Sequence, residues 1–104
     1  MTARSTLPDR RRCETFELHH GGQNTPYQVT LGYYQNGSVG EVFIAGAKAG
    51  SGVEAVARDG AVLLSIALQF GVPLETIKHA LTRDADGTPS TIIGAVVDRL
   101  TVKP

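Results

Sequence analysis

The chain has 104 residues, with 10 Lys and Arg against 10 Asp and Glu, so its formal net charge at pH 7 is zero. Hydrophobic residues make up 41% and charged residues 19%, which is typical of a globular domain. This length allows one domain with a buried core and excludes two. The zero net charge excludes a global field that would attract nucleic acid or an anionic membrane.

The charge is nevertheless uneven at the start of the chain. Four arginines lie within the first twelve residues: Arg4, Arg10, Arg11 and Arg12. We therefore predict a basic flexible arm over residues 1–12 and a single domain over residues 13–104. A solvated arm is favoured over one that contacts a phosphate or an acidic partner.

The sequence carries no sign of export or of membrane insertion. The opening residues lack the apolar segment of a secretory signal, and no apolar run reaches the ~18 residues of a transmembrane helix. The single cysteine, Cys13, allows no intrachain disulfide and no cysteine metal site. We expect a cytoplasmic protein with no membrane contact and no strong nucleic-acid signal.

Three strands are predicted in the first half of the chain. Residues 13–20 and 27–34 alternate apolar and polar side chains as half-buried strands do, and residues 41–45 form a short third strand. Between the last two, Asn36-Gly37 is a strong hairpin signal because both residue types accept positive φ at low cost. Consecutive strands with such short connections predict an antiparallel meander.

A glycine-rich loop at residues 46–52 leads into the first predicted helix. Ser51 and Glu54 have the spacing of a capping box, and Gly71 suits the left-handed position after a helix that ends near Phe70. Eight residues of this helix form one apolar stripe: Val53, Val56, Ala57, Gly60, Ala61, Leu64, Ala67 and Leu68.

The second half of this helix is apolar on another side as well. Val62, Ile66 and Phe70 are spaced by four and lie outside the first stripe, which leaves Ser65 and Gln69 on the polar side. A helix that is apolar on two sides needs two covering surfaces. The sheet supplies one, and either the later helices or a second copy of the chain must supply the other. We predict an interface at Val62, Ile66 and Phe70, most simply in a homodimer with twofold symmetry.

Two shorter helices are predicted after the first. Pro73 suits the first position of one of them. Ser90 is placed to cap the other, whose apolar stripe is Ile93, Val96, Val97 and Leu100. The predicted fold class is α+β, with an antiparallel three-stranded meander followed by three helices packed on one face.

The loop before the first helix is also the best candidate for a ligand site. Backbone N–H groups and the positive end of a helix dipole bind phosphate at such junctions, and a lysine adds a full charge. The candidate residues are Lys48, Gly50, Ser51 and Gly52. Their spacing matches neither a P-loop nor a dinucleotide-binding motif, and capping by Ser51 is favoured over ligand binding.

No catalytic or metal site is predicted. His19 and His20 are adjacent in a strand and therefore point to opposite faces, so surface histidines are favoured over metal ligands. Asp84 and Asp86 are interpreted as turn formers. No cofactor is expected in this chain.

Several short segments, taken in order, resemble a known family. They are Gly40-Glu41-Val42-Phe43-Ile44, Lys48-x-Gly50-Ser51 and Ser65-x-Ala67-Leu68-Gln69-x-Gly71-Val72-Pro73-Leu74-Glu75. These segments resemble the C-terminal domain of vitamin B12-dependent ribonucleotide reductases, which is described by a Thr-Ser-Cys-Pro-Asp motif. The opening Leu7-Pro8-Asp9-Arg10-Arg11 and the close at residues 80–87 are similar to small stand-alone bacterial proteins built from that domain.

The resemblance implies an accessory role, because the reductase machinery is missing. Ser90-Thr91-Ile92-Ile93 stands near the expected place of the Thr-Ser-Cys-Pro-Asp motif, and the chain has one cysteine where reductases of the family use several. Adenosylcobalamin is therefore implied only by family association. The implied function is a non-catalytic interaction or regulatory module linked to deoxyribonucleotide synthesis, with a reductase catalytic chain as partner. The alternative is a protein that binds a nucleotide or phosphate at residues 46–52.

Overall fold

The strands and helices follow the predicted order. The computed structural model describes residues 3–46 and 51–102. The elements are β1 (Cys13–His20), β2 (Thr25–Tyr33), β3 (Val39–Gly46), α1 (Gly52–Gln69), α2 (Leu74–Ala80) and α3 (Ile92–Thr101). The strands form one antiparallel sheet in the order β1-β2-β3, which confirms the α+β prediction. No helix within the described residues is long and apolar enough to cross a membrane.

The alternating pattern of the strands places one face of the sheet in the core. Tyr27, Val29 and Leu31 of β2 are buried. They form one cluster with residues of β3 and the helices: Val42, Ile44, Ala57, Ala61, Leu64, Ile92, Val96 and Val97. The opposite face is open at Phe43, of which 57% is exposed. The helices therefore pack on one face only.

The first helix begins at the predicted cap. Ser51 Oγ accepts a hydrogen bond from the backbone N–H of Glu54 at 3.1 Å. Gly71 follows the helix with a φ of 85°, as predicted. In the β2–β3 connection, by contrast, only Gly37 adopts positive φ, and Asn36 does not.

The stripe predicted for α1 is buried only in part. Ala57 and Leu64 are buried, whereas Val53 and Val56 are 60% and 65% exposed, so the prediction was wrong for these two residues. α3 approaches α1 so closely at Gly60 that a side chain there would collide with Ile93. Val53 and Val56, nearer the start of α1, are exposed because they line a cavity.

The caps of the two shorter helices also differ from the prediction. Pro73 occupies the N-cap position of α2 and lies just outside the helix. Thr91, not Ser90, caps α3, because Thr91 Oγ1 accepts a hydrogen bond from the Gly94 N–H at 3.0 Å. Ser90 Oγ donates to Asp84 Oδ1 at 2.6 Å. Two adjacent hydroxyl residues could cap α3. Because the Ser90 hydroxyl is bonded to Asp84 within the loop, Thr91 is the residue that caps the helix.

Two polar side chains of α1 close the outer edge of β3. Ser65 Oγ accepts from the Val42 N–H at 2.8 Å, and its one hydroxyl proton is shared between the carbonyl oxygens of Ala61 at 2.8 Å and Val42 at 3.1 Å. Gln69 Nε2 donates to the Gly40 carbonyl oxygen at 2.9 Å. The prediction that Ser65 and Gln69 form a polar side was wrong, since Gln69 is buried and Ser65 half-buried. Both satisfy backbone groups that an edge strand leaves open.

Candidate functional site

The side of α1 that faces away from the sheet is apolar and exposed. Val62 and Leu63 are 53% and 68% exposed, Phe70 is 36% exposed, and Ile66 is half-buried. We call these four residues the α1 outer face. The structure places the predicted interface residues Val62, Ile66 and Phe70 on this one surface and adds Leu63. Sequence analysis missed Leu63, although its helical angle next to Phe70 was an available signal.

The third helix does not cover the α1 outer face. Val96 and Val97 of α3 are fully buried in the core, and Ile93 meets α1 at Gly60, outside the α1 outer face. Of the two covers that the sequence left open, the later helices therefore do not supply one for Val62. Within the described part of a single chain, Val62 and Leu63 are accessible.

A cleft adjoins the α1 outer face between β3 and α1. Its volume is about 470 Å³, and Phe43, Val62 and Ile66 supply apolar walls. Arg4 and Arg58 line it as well. An apolar centre with charged groups around it is the usual anatomy of a protein–protein interface. The cleft extends the α1 outer face toward the open face of the sheet.

The predicted ligand loop is described only in part. Lys48 and Gly50 lie outside the described residues. Ser51 is engaged as the cap of α1, and Gly52 lines a cavity of about 540 Å³. Residues 90–93, near the expected place of the Thr-Ser-Cys-Pro-Asp motif, line the same cavity. Gly52, at the end of the loop, and residues 90–93 therefore border the same cavity.

Asp84 and Asp86 organise the loop before α3, as the turn interpretation predicted. Thr88 donates to Asp86 Oδ1 from its hydroxyl at 2.7 Å and from its backbone N–H at 3.0 Å. These two bonds hold the pKa of Asp86 below its ordinary value. Arg83 donates two hydrogen bonds to Asp98, at 2.6 and 3.0 Å, which lower the pKa of that carboxyl. These carboxylates serve local structure.

The remaining candidates for chemistry lie apart from one another. Cys13 is exposed at the start of β1. His19 lies near the end of the same strand, with its Nε2 3.1 Å from Glu17 Oε1. His79 lies on α2 beside Glu75. Among the residues for which the structure gives a position, no three His, Cys, Asp or Glu side chains gather as a metal site would require.

Fold and site together define a small α+β domain with a filled core and an exposed apolar helix face. The chain belongs to the TSCPD domain family, whose model matches residues 1–101. This match includes the basic arm.

Similar proteins include vitamin B12-dependent ribonucleotide reductases. The chain is 39% identical to the Rhodopirellula baltica reductase over 74 residues, which is 71% of this chain and 7% of that one. It is 34% identical to the Bradyrhizobium diazoefficiens reductase over 82 residues, 79% of this chain and 6% of that one. It is 35% identical to the Agrobacterium fabrum reductase over 79 residues, which is 76% of this chain and 6% of that one. The chain thus spans only 6–7% of the length of these relatives, and no solved structure gives a significant match.

The two cavities described above do not fit a cobalamin cofactor. The larger measures about 540 Å³. Cavities of ~300–1,000 Å³ hold drug-sized ligands, and a corrin ring with its nucleotide tail is much larger than these. Neither cavity is therefore assigned to cobalamin.

Proposed function

We propose that this domain is a non-catalytic interaction module that docks on the catalytic chain of a ribonucleotide reductase and is thereby linked to deoxyribonucleotide synthesis. The relatives support this partner, because each contains a segment similar to this chain within a far longer reductase. We infer docking as the mode of action from the exposed apolar surface of the α1 outer face, where Leu63 is 68% exposed. Contiguous apolar surface of this kind marks a contact with another protein.

The size of the α1 outer face sets the strength of the contact. In this surface Val62, Leu63 and Phe70 are between 36% and 68% exposed. Since fully burying such a side chain stabilises by ~1.5–3 kcal/mol, covering the three contributes about 2–5 kcal/mol. A micromolar complex needs ~8 kcal/mol, so the cleft beside Phe43 must contribute too. We therefore expect reversible docking.

Binding to an immobilised vitamin B12-dependent reductase tests the docking. Leu63→Glu is expected to abolish measurable binding, because it places a charge on the most exposed residue of the α1 outer face. Val102→Glu is the matched control, since Val102 is 70% exposed at the end of α3. Circular dichroism checks that both variants fold. Equal loss in the two variants, or undiminished binding of Leu63→Glu, would contradict the proposal.

The non-catalytic role has its own test. The purified domain is expected to reduce no ribonucleotide, with or without adenosylcobalamin and a dithiol. Its one cysteine, Cys13, is exposed, whereas the family resemblance implies that reduction needs several cysteines. Ribonucleotide reduction by the parent that is lost in Cys13→Ser would overturn this role.

In the absence of a reductase, we propose that a second copy of the chain covers the α1 outer face in a dimer. A twofold axis lets one apolar patch meet its own copy. Light scattering of the parent should give about twice the 11.0 kDa of one chain, and Leu63→Glu should restore the mass of one chain. Leu63 serves this test better than Ile66, which is half-buried. A parent mass of one chain would reject the dimer and leave reductase docking to its own test.

A second candidate function is binding of a nucleotide or phosphate at residues 46–52. The cavity of about 540 Å³ beside Gly52, which residues 90–93 also line, favours it. The ligand class follows from the position at the start of α1. Thermal stabilisation by phosphate or a nucleotide that disappears in Lys48→Ala, but persists in Arg58→Ala, would support this function. No stabilisation by any of these compounds would exclude it.

A further inference from the structure

The amino-terminal arm makes defined contacts with the rest of the domain. The Ser5 N–H donates to the Gln69 carbonyl oxygen at 2.7 Å, near the end of α1. Arg11 Nε donates to Glu41 Oε1 at 2.6 Å, and Glu41 is only 9% exposed. The mobility of residues 1–12 stays a prediction, but in this conformation the arm lies beside the β2–β3 hairpin.

Three consecutive arginines of the arm line a small cavity at this hairpin. The cavity has a volume of about 190 Å³, and Tyr33 forms part of its wall. Arg11 is neutralised by Glu41, and the Arg12 guanidinium lies 4.2 Å from the centroid of the Tyr33 ring. Neither Arg10 nor Arg12 has an ion-pair partner within the described residues. Arg10 and Arg12 are therefore cations without an ion pair, although Glu14, which accepts from the Tyr33 hydroxyl at 2.8 Å, adds a negative charge nearby.

An uncharged cavity adjoins the arginine cavity at Tyr34. Its volume is about 610 Å³, and the two cavities share Pro8, Tyr34 and Gln35. Tyr34 is fixed as a common wall in two ways. Its hydroxyl donates to the Ser5 carbonyl oxygen at 3.1 Å, and its ring packs on Gly40 so closely that no side chain would fit there.

The uncharged cavity offers free hydrogen-bonding groups. Thr6, Gln35, Asn36 and Ser38 line it. The Asn36 side-chain oxygen accepts bonds from Ser38 at 2.7 and 2.9 Å. The side chains of Thr6 and Gln35 have no hydrogen-bond partner within the described part of the chain. Hydroxyl and amide groups of this kind recognise the edges of bases and the hydroxyls of sugars.

We propose that the two cavities form one binding site for a nucleoside polyphosphate. Arg10 and Arg12 bind the phosphates, because a guanidinium donates in a fixed fork that matches phosphate oxygens. The base and sugar occupy the uncharged cavity beside Tyr34, whose size is within the ~300–1,000 Å³ usual for small-molecule sites. This site shares no residue with the α1 outer face or with the loop at 46–52, and it does not depend on reductase docking.

Calorimetric titration of the full chain with ATP, GTP, CTP and UTP tests the site. At least one triphosphate is expected to bind more tightly than tripolyphosphate, and the corresponding nucleoside without phosphate is expected not to bind. Arg10→Gln combined with Arg12→Gln should weaken binding by about 100-fold, because each charge-assisted hydrogen bond is worth about tenfold. Arg58→Gln is the matched control. It removes one positive charge from α1 outside the site and should change the affinity by no more than about twofold, since solvent screens distant charges.

Four results would overturn the site. The first is that no triphosphate binds, and the second is that the double arginine variant binds as the parent does. The third is that Lys48→Gln abolishes binding while the arginine variant retains it, which would place the ligand at residues 46–52. The fourth is equal affinity for tripolyphosphate and every nucleotide, which would leave no role for the uncharged cavity. None of these results bears on the Leu63→Glu test of reductase docking, so the two proposals fail separately.

Discussion

The two sides of α1 are built in opposite ways. The side against the sheet and α3 carries small residues, Ala57, Gly60 and Ala61. Leu64 and Leu68 are the large residues on this side, whereas the α1 outer face carries large apolar residues only. Small residues let α1 approach its neighbours closely, so strand and α3 side chains fill most of the core. The comparison shows that hydrophobicity alone does not identify the buried side of a helix, because the volume left by its neighbours decides.

Truncating two neighbouring leucines tests the difference between the two sides of α1 most directly. Leu64 is 5% exposed and Leu63 is 68% exposed. Leu64→Ala is expected to lower the free energy of unfolding by ~2–5 kcal/mol, because it removes buried contacts and leaves a cavity. Leu63→Ala should lower it by less than ~0.5 kcal/mol in the monomer. Denaturant unfolding followed by circular dichroism measures both losses, and equal losses would contradict an open outer face.

Enlarging a small residue tests the same difference from the inner side of α1. Ala61 is 2% exposed, and Ala61→Leu is expected to cost ~1–3 kcal/mol because it overpacks a filled core. Ala55→Leu introduces the same side chain at an exposed position of α1 and serves as the control. Thermal melting of the two variants should separate them. An unchanged melting temperature for Ala61→Leu would mean that the core holds unfilled volume next to the helix.

Loss of the helix cap should have a smaller effect that does not distinguish the two sides of α1. Ser51→Ala removes the acceptor of the Glu54 N–H and is expected to cost ~1 kcal/mol. The midpoint of denaturant unfolding reports this loss. Coincident midpoints of variant and parent would show that the cap contributes nothing, and a ligand role for the loop at 46–52 would gain support.

The smallest expected effect concerns the ion pair that joins the loop before α3 to α3 itself. The hydrogen bonds from Arg83 hold the pKa of Asp98 below its ordinary value. A carboxyl with a lowered pKa in the folded state adds stability above its unfolded pKa of ~3.9 and loses it as the pH falls through the folded pKa. The parent should therefore lose more stability than Asp98→Asn between pH 5 and strongly acidic pH, measured as the shift in melting temperature. Parallel curves for the two proteins would show that this pair is not formed in solution.

Local signals in the sequence were enough for the order of elements. Alternation predicted β1 and β2, the Ser51–Glu54 spacing predicted the start of α1, and Gly71 predicted its end. A spacing of four also predicted three of the four residues of the α1 outer face. Each of these features depends on residues close together in the chain.

Features that depend on distant residues could not be predicted in this way. Ser65 binds the backbone of Val42, 23 positions earlier in the chain, and no local pattern indicates that pairing. Arg11 likewise depends on Glu41, which is 30 positions away. The cavity lined by residues 10–12 could not be predicted for the same reason, since it forms only when the arm lies beside the β2–β3 hairpin.

The closure of the β3 edge by Ser65 and Gln69 has a consequence for solubility. The run Val42-Phe43-Ile44 is apolar and rich in residues that favour strands, and an open apolar edge strand is a site of aggregation. In the folded domain α1 occupies the hydrogen-bonding groups of Gly40 and Val42, so another chain cannot add a strand at these positions. The last turns of α1 thus protect the edge of β3 from pairing with another chain. If these turns unfold, the backbone groups of Gly40 and Val42 become available for such pairing.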